Sequence, residues 1–562
     1  MGITERVREE FYDRICSEHV LLLCALDVDS LCAVKILQSL FKADNVEHTV
    51  VPVDGKASLQ QAFTDQADQV KSVVLVNCGG SINLLELLQP EQDSVTFYVV
   101  DSRRPYELDN VYSQDQVQLV VREGEELELP AFEEVYNSDM EDESDDEYFS
   151  DSEDGPTAKR RKTGDEDSYQ TRKRKHLWKK KREEILYKYY EFNTHGTSAS
   201  LLMYELAMKM SRDSNDLLWW AILGLTEQLL YEKVDRERYV TDLHALQPYV
   251  IRHNRTSEDE TPSAINSMRI AFDNELRLAL YRHWSLYESL CHSEYTACRF
   301  KVWTMKGHKK LMEFLADMGL PLVQSKQKFA SMEMQHRDTF KESFTESARK
   351  YQVEDFTYGS FVAQFGYKNK FCAGDLVYSS TALIEATDTS YSQGFLMALE
   401  GLSRTNMTKM QAGIEAAKRQ QVAIVTQIRN FVDTHQVVCA GPFVYAYVEE
   451  GTPNVKMFSK PHTLAKLARF LREAWITSNK KAKDIPFIVS APYDVEESTC
   501  IITGVPPHSE HTHRSEFAKA FQHAADRIQA RATFDHFDGA VFVIKKDDRG
   551  KFFDALTALS AF

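Results

Sequence analysis

The chain has 562 residues, which is too many for one hydrophobic core, so we expect two or three domains. Its net charge of −18 argues against a general binder of duplex DNA, which would usually be basic. The nine cysteines include no C-x-x-C pair, and the apolar runs are too short for a membrane span. We therefore expect a soluble, intracellular protein.

The first section of the chain alternates predicted strands and helices. Continuous valine and leucine runs between helical stretches are typical of a parallel sheet covered on both faces. We predict strands at 20–26, 48–53, 72–77 and 95–100, with an edge strand at 117–121. Helical patterns predict helices at 31–41, 59–70 and 82–88.

Acidic residues and serines crowd the segment from 133 to 167. Such a block repels itself and has little to bury, so we predict that it is disordered. Its role stays open between a flexible insert and a binding segment for a basic partner. The acidic surroundings make four serines candidates for phosphorylation: Ser138, Ser144, Ser150 and Ser152.

Two basic clusters follow the acidic segment, and their spacing resembles a bipartite nuclear localisation signal. We therefore predict a nuclear protein. A solvated helix face and a phosphate-binding strip are the alternatives. The predicted signal consists of Lys159, Arg160, Arg161, Lys162, Arg172, Lys173, Arg174 and Lys175.

The pattern is helical from about 182 to 350 and mixed after that. In these two sections we predict helices at 270–290, 308–318, 336–351, 405–432, 464–475, 514–531 and 551–559. We predict strands at 357–365, 486–490, 500–504 and 540–544. These elements indicate a central helical region and a smaller C-terminal α/β domain.

The candidate site begins with two carboxylates, Asp27 and Asp29, directly after the first strand. Ligands of open α/β sheets bind outside the carboxyl ends of the strands. Two carboxylates one residue apart can converge on a divalent cation. Later predicted strands end at Asn77 and Asp101, and Glu227 ends a helical stretch.

This layout resembles the DHH phosphoesterase superfamily, which includes the single-strand exonuclease RecJ. That superfamily carries H-x-D-x-D after its first strand, a bridging Asp on a later strand, an Asp-His-His run and a further Asp beyond a helical segment. Asp27, Asp29 and Asp101 match this pattern, and Glu227 stands at the last acidic position. Four positions depart from it: Ala25, Asn77, Ser102 and Arg103.

The departures weaken the metal site that the resemblance implies. Neutral Asn77 bridges two dications poorly, and Arg103 puts a permanent cation where a metal ligand belongs. We therefore predict no enzyme and no cofactor, while a weak Mg²⁺ ion held by Asp27 and Asp29 stays open. The alternative is an active metal-dependent single-strand DNA phosphoesterase of RecJ type.

A more specific resemblance runs along essentially the whole chain. It is carried by six segments in order, with the acidic-then-basic loop between the third and the fourth: LDVDSLCA at 26–33, VNCGG at 76–80, DSRRP at 101–105, HGTS at 195–198, LWWAILGLT at 218–226 and EFLADMGLPL at 313–322. Together they resemble the eukaryotic RecJ-like replication factors, a degenerate branch of the DHH superfamily.

That resemblance implies a non-catalytic subunit of the replicative DNA helicase. Its implied partners are the hexameric minichromosome-maintenance ATPase ring and the GINS complex, in origin firing and in elongation. Weak contact with single-stranded DNA stays open. The implied domains are a DHH-like α/β part at 1–132, the acidic loop at 133–167, a helical completion at 168–230, a helical inter-domain region at 231–350 and a DHHA1-like α/β domain at 351–562.

Overall fold

The computed structural model describes most of the chain. The described residues are 2–67, 70–90, 95–113, 116–137, 165–259, 268–365, 369–479, 483–507 and 514–560. The four candidate phosphorylation serines and the first basic cluster, 159–162, lie outside the described residues. In the described part, no helix is both long and apolar enough to cross a membrane.

A parallel sheet organises the N-terminal part. Its six strands are β1 (Ile3–Thr4), β2 (Val20–Ala25), β3 (His48–Val53), β4 (Ser72–Val76), β5 (Thr96–Val100) and β7 (Val117–Val120). Strand β6 (Arg103–Arg104) lies outside this sheet. The order across the sheet is β1-β7-β5-β4-β2-β3, and every pairing is parallel. The predicted strands are confirmed, except that 117–121 is not the edge, because β1 pairs outside it.

Successive residues of β2 point to opposite faces of this sheet, as the pleat requires. Val20, Leu22 and Cys24 join one buried core, and Leu21 and Leu23 join another. Both faces are therefore covered, as predicted. The helices of this part are α1 (Asp13–Ile15), α2 (Val28–Asp44), α3 (Lys56–Thr64), α4 (Leu84–Leu88), α5 (Leu108–Tyr112), α6 (Phe132–Val135), α7 (Asp165–Tyr189), α8 (Ala199–Lys209), α9 (Asn215–Leu230) and α10 (Arg236–Asp259).

The second basic cluster lies on α7, where Lys173 and Arg174 are exposed. The side chain of Arg172 lies outside the described residues. Farther along this helix, Lys181 pairs with Glu134 at 2.9 Å, and Arg182 donates to the Val135 carbonyl. These contacts hold the helix against α6, and β8 (Thr194–His195) then returns the chain to β6.

The helix predicted at 270–290 is wrong, because β9 (Met268–Leu276) occupies the first part of this stretch. It pairs antiparallel with β10 (Thr357–Phe365), with Phe272 opposite Phe361, and β11 (Asn369–Cys372) completes this three-stranded sheet. Burial alternates at the start of β9, which is the period of a strand. Glutamate and leucine are good helix formers, and they hid this period in the sequence.

The rest of the central region is helical, as predicted. A 3₁₀ turn at Tyr281–His283 precedes helix α11 (Leu286–His292). The following helices are α12 (Glu294–Phe300), α13 (Met305–Asp317), α14 (Leu322–Lys326) and α15 (Met334–Lys350).

The C-terminal part is a second α/β unit, as predicted. Its sheet has the order β12-β13-β14-β15-β17-β16, with β12 (Val438–Cys439), β13 (Val444–Tyr447), β14 (Phe487–Asp494), β15 (Thr499–Val505), β16 (Ala532–Thr533) and β17 (Val541–Lys545). Its helices are α16 (Ala373–Ile384), α17 (Tyr391–Gly401), α18 (Met407–Asp433), α19 (Val455–Phe458), α20 (Pro461–Ser478), α21 (Phe517–Arg527) and α22 (Arg549–Ser560).

Candidate functional site

The candidate site lies at the carboxyl edge of the N-terminal sheet. Strands β2, β4 and β5 are direct neighbours, so the residues that follow them meet at this edge. The structure brings together the predicted residues from three strand ends and one helix: Asp27, Asp29, Asn77, Asp101, Arg103 and Glu227.

Asp27 begins α2 as its N-cap residue. Its Oδ1 atom accepts a hydrogen bond from the backbone N–H of Ser30 at 2.7 Å, the ordinary role of an N-cap aspartate. Arg103 approaches its Oδ2 atom at 3.4 Å. Burial by itself would raise the pKa of Asp27, but the cations of Lys233 and Arg103 outweigh burial and hold that pKa below its ordinary value. Asp27 is therefore an ionised, partnered carboxylate.

Asn77 connects the two carboxylates. Its Nδ2 group donates to Asp27 at 3.2 Å and to Asp29 at 3.2 Å. Its Oδ1 atom accepts from the backbone N–H of Ser102 at 3.0 Å and from the Ser102 hydroxyl at 3.2 Å, which fixes the orientation of the amide. Its backbone has a φ of 53°, a left-handed conformation that asparagine tolerates well. An uncharged donor thus stands between two anions.

Asp29 is turned away from solvent toward the N-terminus of α8. It accepts hydrogen bonds from the backbone N–H groups of Ala199 at 2.8 Å and Ser200 at 2.9 Å, and from the Ser198 hydroxyl at 2.5 Å. The N–H groups of a helix N-terminus favour such an anion. Gly224 of α9 allows this approach, since a Cβ there would lie 2.5 Å from Asp29 Oδ1. Asp29 is an anchor for a helix.

Asp101 is held by backbone groups and by Arg103. Its Oδ2 atom accepts from the backbone N–H groups of Gly79 at 3.2 Å and Gly80 at 2.8 Å. Its Oδ1 atom accepts from the backbone N–H of Arg103 at 2.9 Å. The Arg103 guanidinium lies 3.6 Å from the same oxygen. Burial opposes this cation, but Asp101 and Asp27 more than compensate and raise the pKa of Arg103. Arg103 therefore links the ends of β2 and β5.

Glu227 meets a cation that the sequence analysis missed. Lys233 lies 2.7 Å from Glu227 Oε1, while Glu227 Oε2 is buried and has no hydrogen-bond partner among the described residues. Burial raises the pKa of Glu227, and the nearby cation of Lys233 offsets only part of this rise. Burial would lower the pKa of Lys233, but the carboxylates of Glu227 and Asp27 outweigh burial and raise it. The only signal in the sequence was a lysine shortly after Glu227, which is common at the end of a helix.

His195 does not contribute a charge to the site. Burial, together with the nearby cations Lys233 and Arg103, lowers its pKa well below the ordinary value for histidine. Its imidazole is therefore neutral at physiological pH.

The C-terminal part closes over this edge of the sheet. His462 of α20 places its Nε2 atom 2.9 Å from the Leu26 carbonyl oxygen, next to Asp27. Asp535 accepts from the backbone N–H groups of Lys56 at 2.9 Å and Ala57 at 2.8 Å, at the start of α3. The site is thus enclosed by both units of the chain.

The residues present do not fit a two-metal centre. Two dications about 4 Å apart need an anion between them, and Asn77 instead turns an amide N–H₂ group toward the carboxylates. Arg103 and Lys233 bring positive charge, the same sign as a metal ion. Within the described ranges, no three His, Cys, Asp or Glu side chains come together in a group that could hold a metal ion.

Comparison with known proteins gives matches over nearly the whole chain. A sequence model of the family described as CDC45 matches residues 20–155 and 132–559. The cell division control protein 45 homolog of Homo sapiens is 41% identical over 560 residues, covering 98% of this chain and 99% of that protein. The homolog of Mus musculus is 42% identical over 561 residues, with the same two coverages of 98% and 99%.

A solved structure shares the fold. The crystal structure of CDC45 from Entamoeba histolytica superimposes with a TM-score of 0.71 at 22% sequence identity, and the match covers 100% of both chains.

Proposed function

Since the chain belongs to the cell division control protein 45 family and has the role in DNA replication that this membership supports, we propose that it acts there as a non-catalytic scaffold. The observation that carries the proposal is the Asn77 amide, which donates to Asp27 and Asp29 where a metal-dependent phosphoesterase needs a bridging anion. The strand ends keep a compact arrangement, and hydrogen bonds and ion pairs maintain it.

The proposed partners are the hexameric minichromosome-maintenance ATPase ring and the GINS complex, as the family resemblance implies. The enclosed edge of the N-terminal sheet supports a scaffold, because both α/β units contact each other there through His462 and Asp535. A rigid body of this kind can brace a larger assembly without chemistry of its own.

A nuclease assay tests the absence of catalysis. We expect the pure full chain to release no nucleotides from labelled single-stranded DNA in the presence of Mn²⁺. Steady turnover that Asp27→Ala abolishes would overturn the proposal. The matched control is Asp433→Ala, which removes an exposed carboxylate far along the chain.

A binding assay tests the partners. The recombinant full chain, immobilised and incubated with nuclear proteins, is expected to retain the helicase ring and GINS. Recovery of neither complex would contradict the scaffold role.

Nuclear entry is tested separately by replacing Lys173, Arg174 and Lys175 with alanine, which we expect to shift a fluorescent fusion toward the cytoplasm.

A further inference from the structure

Helix α7 presents a basic face to solvent. Lys173, Arg174, Lys180 and Lys181 are all exposed. At about 100° per residue, these four positions lie within about 120° of one another around the helix axis, so they share one face. Lys181 pairs with Glu134, whereas the other three form no ion pair with any residue that the structure describes. A face of like charge attracts an acidic partner.

One apolar side chain lies in the middle of this face. Leu177 is 57% exposed and stands between Arg174 and Lys180 along the helix. Single exposed leucines are common on protein surfaces, so this one matters only together with the charges on either side of it. Along its axis the face is therefore basic, then apolar, then basic.

Helix α6 lies against α7 at one end of this face. Glu134 is 2.9 Å from Lys181, and Arg182 Nε donates to the Val135 carbonyl at 2.8 Å. The chain therefore leaves α6 beside the basic face, and a carboxylate of α6 already pairs with one of its lysines.

The segment 138–164 lies outside the described residues, but the structure places both of its ends. At one end, the Tyr112 ring packs 5.1 Å from Phe132 and 5.5 Å from Tyr136, which holds α6 in place. The other end joins Asp165, the first residue of α7. The helix rises about 24 Å from position 165 to position 181. An unstructured chain as long as 138–164 has an r.m.s. end-to-end distance of about 30 Å, so its effective concentration near the helix is on the order of millimolar.

The composition of this segment is complementary to the face. From 139 to 154 it contains aspartates and glutamates but no lysine, arginine or histidine. Two aromatic residues, Tyr148 and Phe149, separate an acidic stretch at 139–147 from a second one at 151–154. The segment is therefore acidic, then aromatic, then acidic, opposite a face that is basic, then apolar, then basic.

We propose that the stretch 139–154 docks on the basic face of α7 in the same molecule, with its acidic parts on the two basic pairs and its aromatic pair on Leu177. A chain that passes from Lys181 back to Asp165 meets the groups of the face in this order. The contact withholds α7 from other polyanions. It goes beyond the scaffold role proposed above and does not depend on it.

Phosphorylation and salt act on this contact in opposite directions. Ser144, Ser150 and Ser152 lie in or beside the acidic parts, and each phosphate adds a charge of about −1.5 to −2, which strengthens the docking. Salt weakens it, because the Debye length falls from about 10 Å at 0.1 M to about 3 Å at 1 M.

Cross-linking of the full chain tests the contact directly. A carbodiimide joins a carboxylate to a lysine amine only where the two groups touch. At about 0.1 M salt we expect links from 139–154 to Lys173 and Lys180 to be at least about fivefold more frequent than links to Lys456, and at about 1 M salt we expect this preference to disappear. Lys456 is the control, an exposed lysine of helix α19.

Binding of fluorescent heparin tests the consequence. In a neutralised variant, every Asp between 139 and 154 is changed to Asn and every Glu to Gln. We expect it to bind heparin at least about fivefold more tightly than the parent at about 0.1 M salt, because the face of α7 is then open to a polyanion.

A lysine pair separates docking from a general effect of net charge. The double change Lys173→Glu and Lys180→Glu should weaken heparin binding about tenfold in the neutralised variant, but less than about twofold in the parent, where the segment covers these lysines. The matched control, Lys309→Glu with Lys456→Glu, makes the same change of charge at exposed positions elsewhere and should have equal effects in both backgrounds.

Three results would overturn the proposal. The first is cross-linking of 139–154 to Lys456 as often as to Lys173 and Lys180. The second is heparin binding of the parent as tight as that of the neutralised variant. The third is a Lys173→Glu and Lys180→Glu effect of the same size in both backgrounds, because the segment would then not cover the face.

Discussion

Asn77 stabilises the candidate site by donating from one amide group to two carboxylates. Asp27 and Asp29 would otherwise face each other at the strand edge with fewer donors between them. Ser102 accounts for the other end of the amide, so all of its polar atoms have partners. A bridging aspartate would do the opposite, because it adds negative charge and needs metal ions to balance it.

The variant Asn77→Asp tests this role. It replaces a donor with a third carboxylate, so we expect a loss of about 3 kcal/mol in the free energy of unfolding, as for other uncompensated buried charges. Urea unfolding followed by tryptophan fluorescence measures it, and Asn369→Asp is the control at an exposed position. Recovery of stability on addition of Mn²⁺ would show that Arg103 and Lys233 do not prevent metal binding.

The sequence predicted the candidate residues but not how they are used. The strand ends were sufficient to expect Asp27, Asn77, Asp101 and Arg103 near one another, since parallel neighbours end at one edge. Lys233 was missed because a loop brings it back to Glu227 after α9, and no spacing rule encodes that return. The anchoring of Asp29 by α8 was missed too, because its donors are mainly backbone groups distant in sequence.

Asp375 predicts an unusual pH dependence of stability. Its pKa is raised to about 7 in the folded protein, mainly by burial and against Arg282, with Glu275 raising it further, while the unfolded value is about 4. The folded state therefore binds more protons between these values, so stability falls as pH rises from 5 to 7. The slope from this one group reaches at most about 1.4 kcal/mol per pH unit.

Asp375→Asn removes this contribution, so the variant should gain stability relative to the parent as pH increases from 5 to 7. Urea unfolding at intervals of half a pH unit measures the difference. Asp338→Asn, at an exposed position, serves as the comparison. Parallel pH profiles for parent and Asp375→Asn would contradict the assignment.

At the scale of elements, helix α8 depends on a residue from another helix. Asp29 of α2 accepts from two backbone N–H groups at the start of α8, in addition to the helix's own cap at Ser198. These are donors that a helix cannot satisfy internally. The position of α8 on the sheet is therefore coupled to the turn that follows β2.

Asp29→Ala should lower the free energy of unfolding by about 3 kcal/mol, because several buried donors lose their acceptor at once. Ser214→Ala removes an ordinary N-cap from α9, because the Ser214 side chain accepts from the Leu217 N–H, and the change should cost about 1 kcal/mol. Chemical denaturation of both variants gives the comparison. Equal losses would mean that Asp29 is no more than a single cap.

Individual strands were predictable where the hydrophobic pattern was unambiguous. The strand predicted at 357–365 has the observed bounds of β10. Its partner β9 was mistaken for a helix, because charged helix formers interrupt its alternation and its exposed face includes Phe272. Pairing with β10 decides the conformation of this segment, and pairing cannot be obtained from local propensity.

At the scale of the whole molecule, Arg472 of α20 connects parts far apart in the chain. Its guanidinium donates to both Glu232 oxygens at 2.9 and 2.8 Å and to the Pro506 carbonyl at 3.1 Å. Its side chain is only 2% exposed. Both bonds to Glu232 come from Nη2, and the buried guanidinium lies between Glu232 and Pro506, so it fixes how α20 packs against the turn that follows α9.

Arg472→Met removes these bonds and keeps most of the apolar volume. We expect the parent to unfold in one thermal transition and the variant in two, because the N-terminal and C-terminal units then unfold less cooperatively. Differential scanning calorimetry measures this. Arg531→Met breaks a surface ion pair with Asp548, and its trace should show the same number of transitions as the parent's. One unchanged transition for Arg472→Met would rule out the coupling.

The amide of Asn77 has a consequence for how the protein meets its surroundings. A metalloenzyme relies on its metal ions to keep its anionic ligands from repelling one another, so the geometry of its site depends on the metal concentration in the cell. Here the balancing groups are covalently part of the chain, in Asn77, Arg103 and Lys233. The strand ends should thus keep their form in the presence of a chelator such as EDTA, through scarcity or excess of manganese alike.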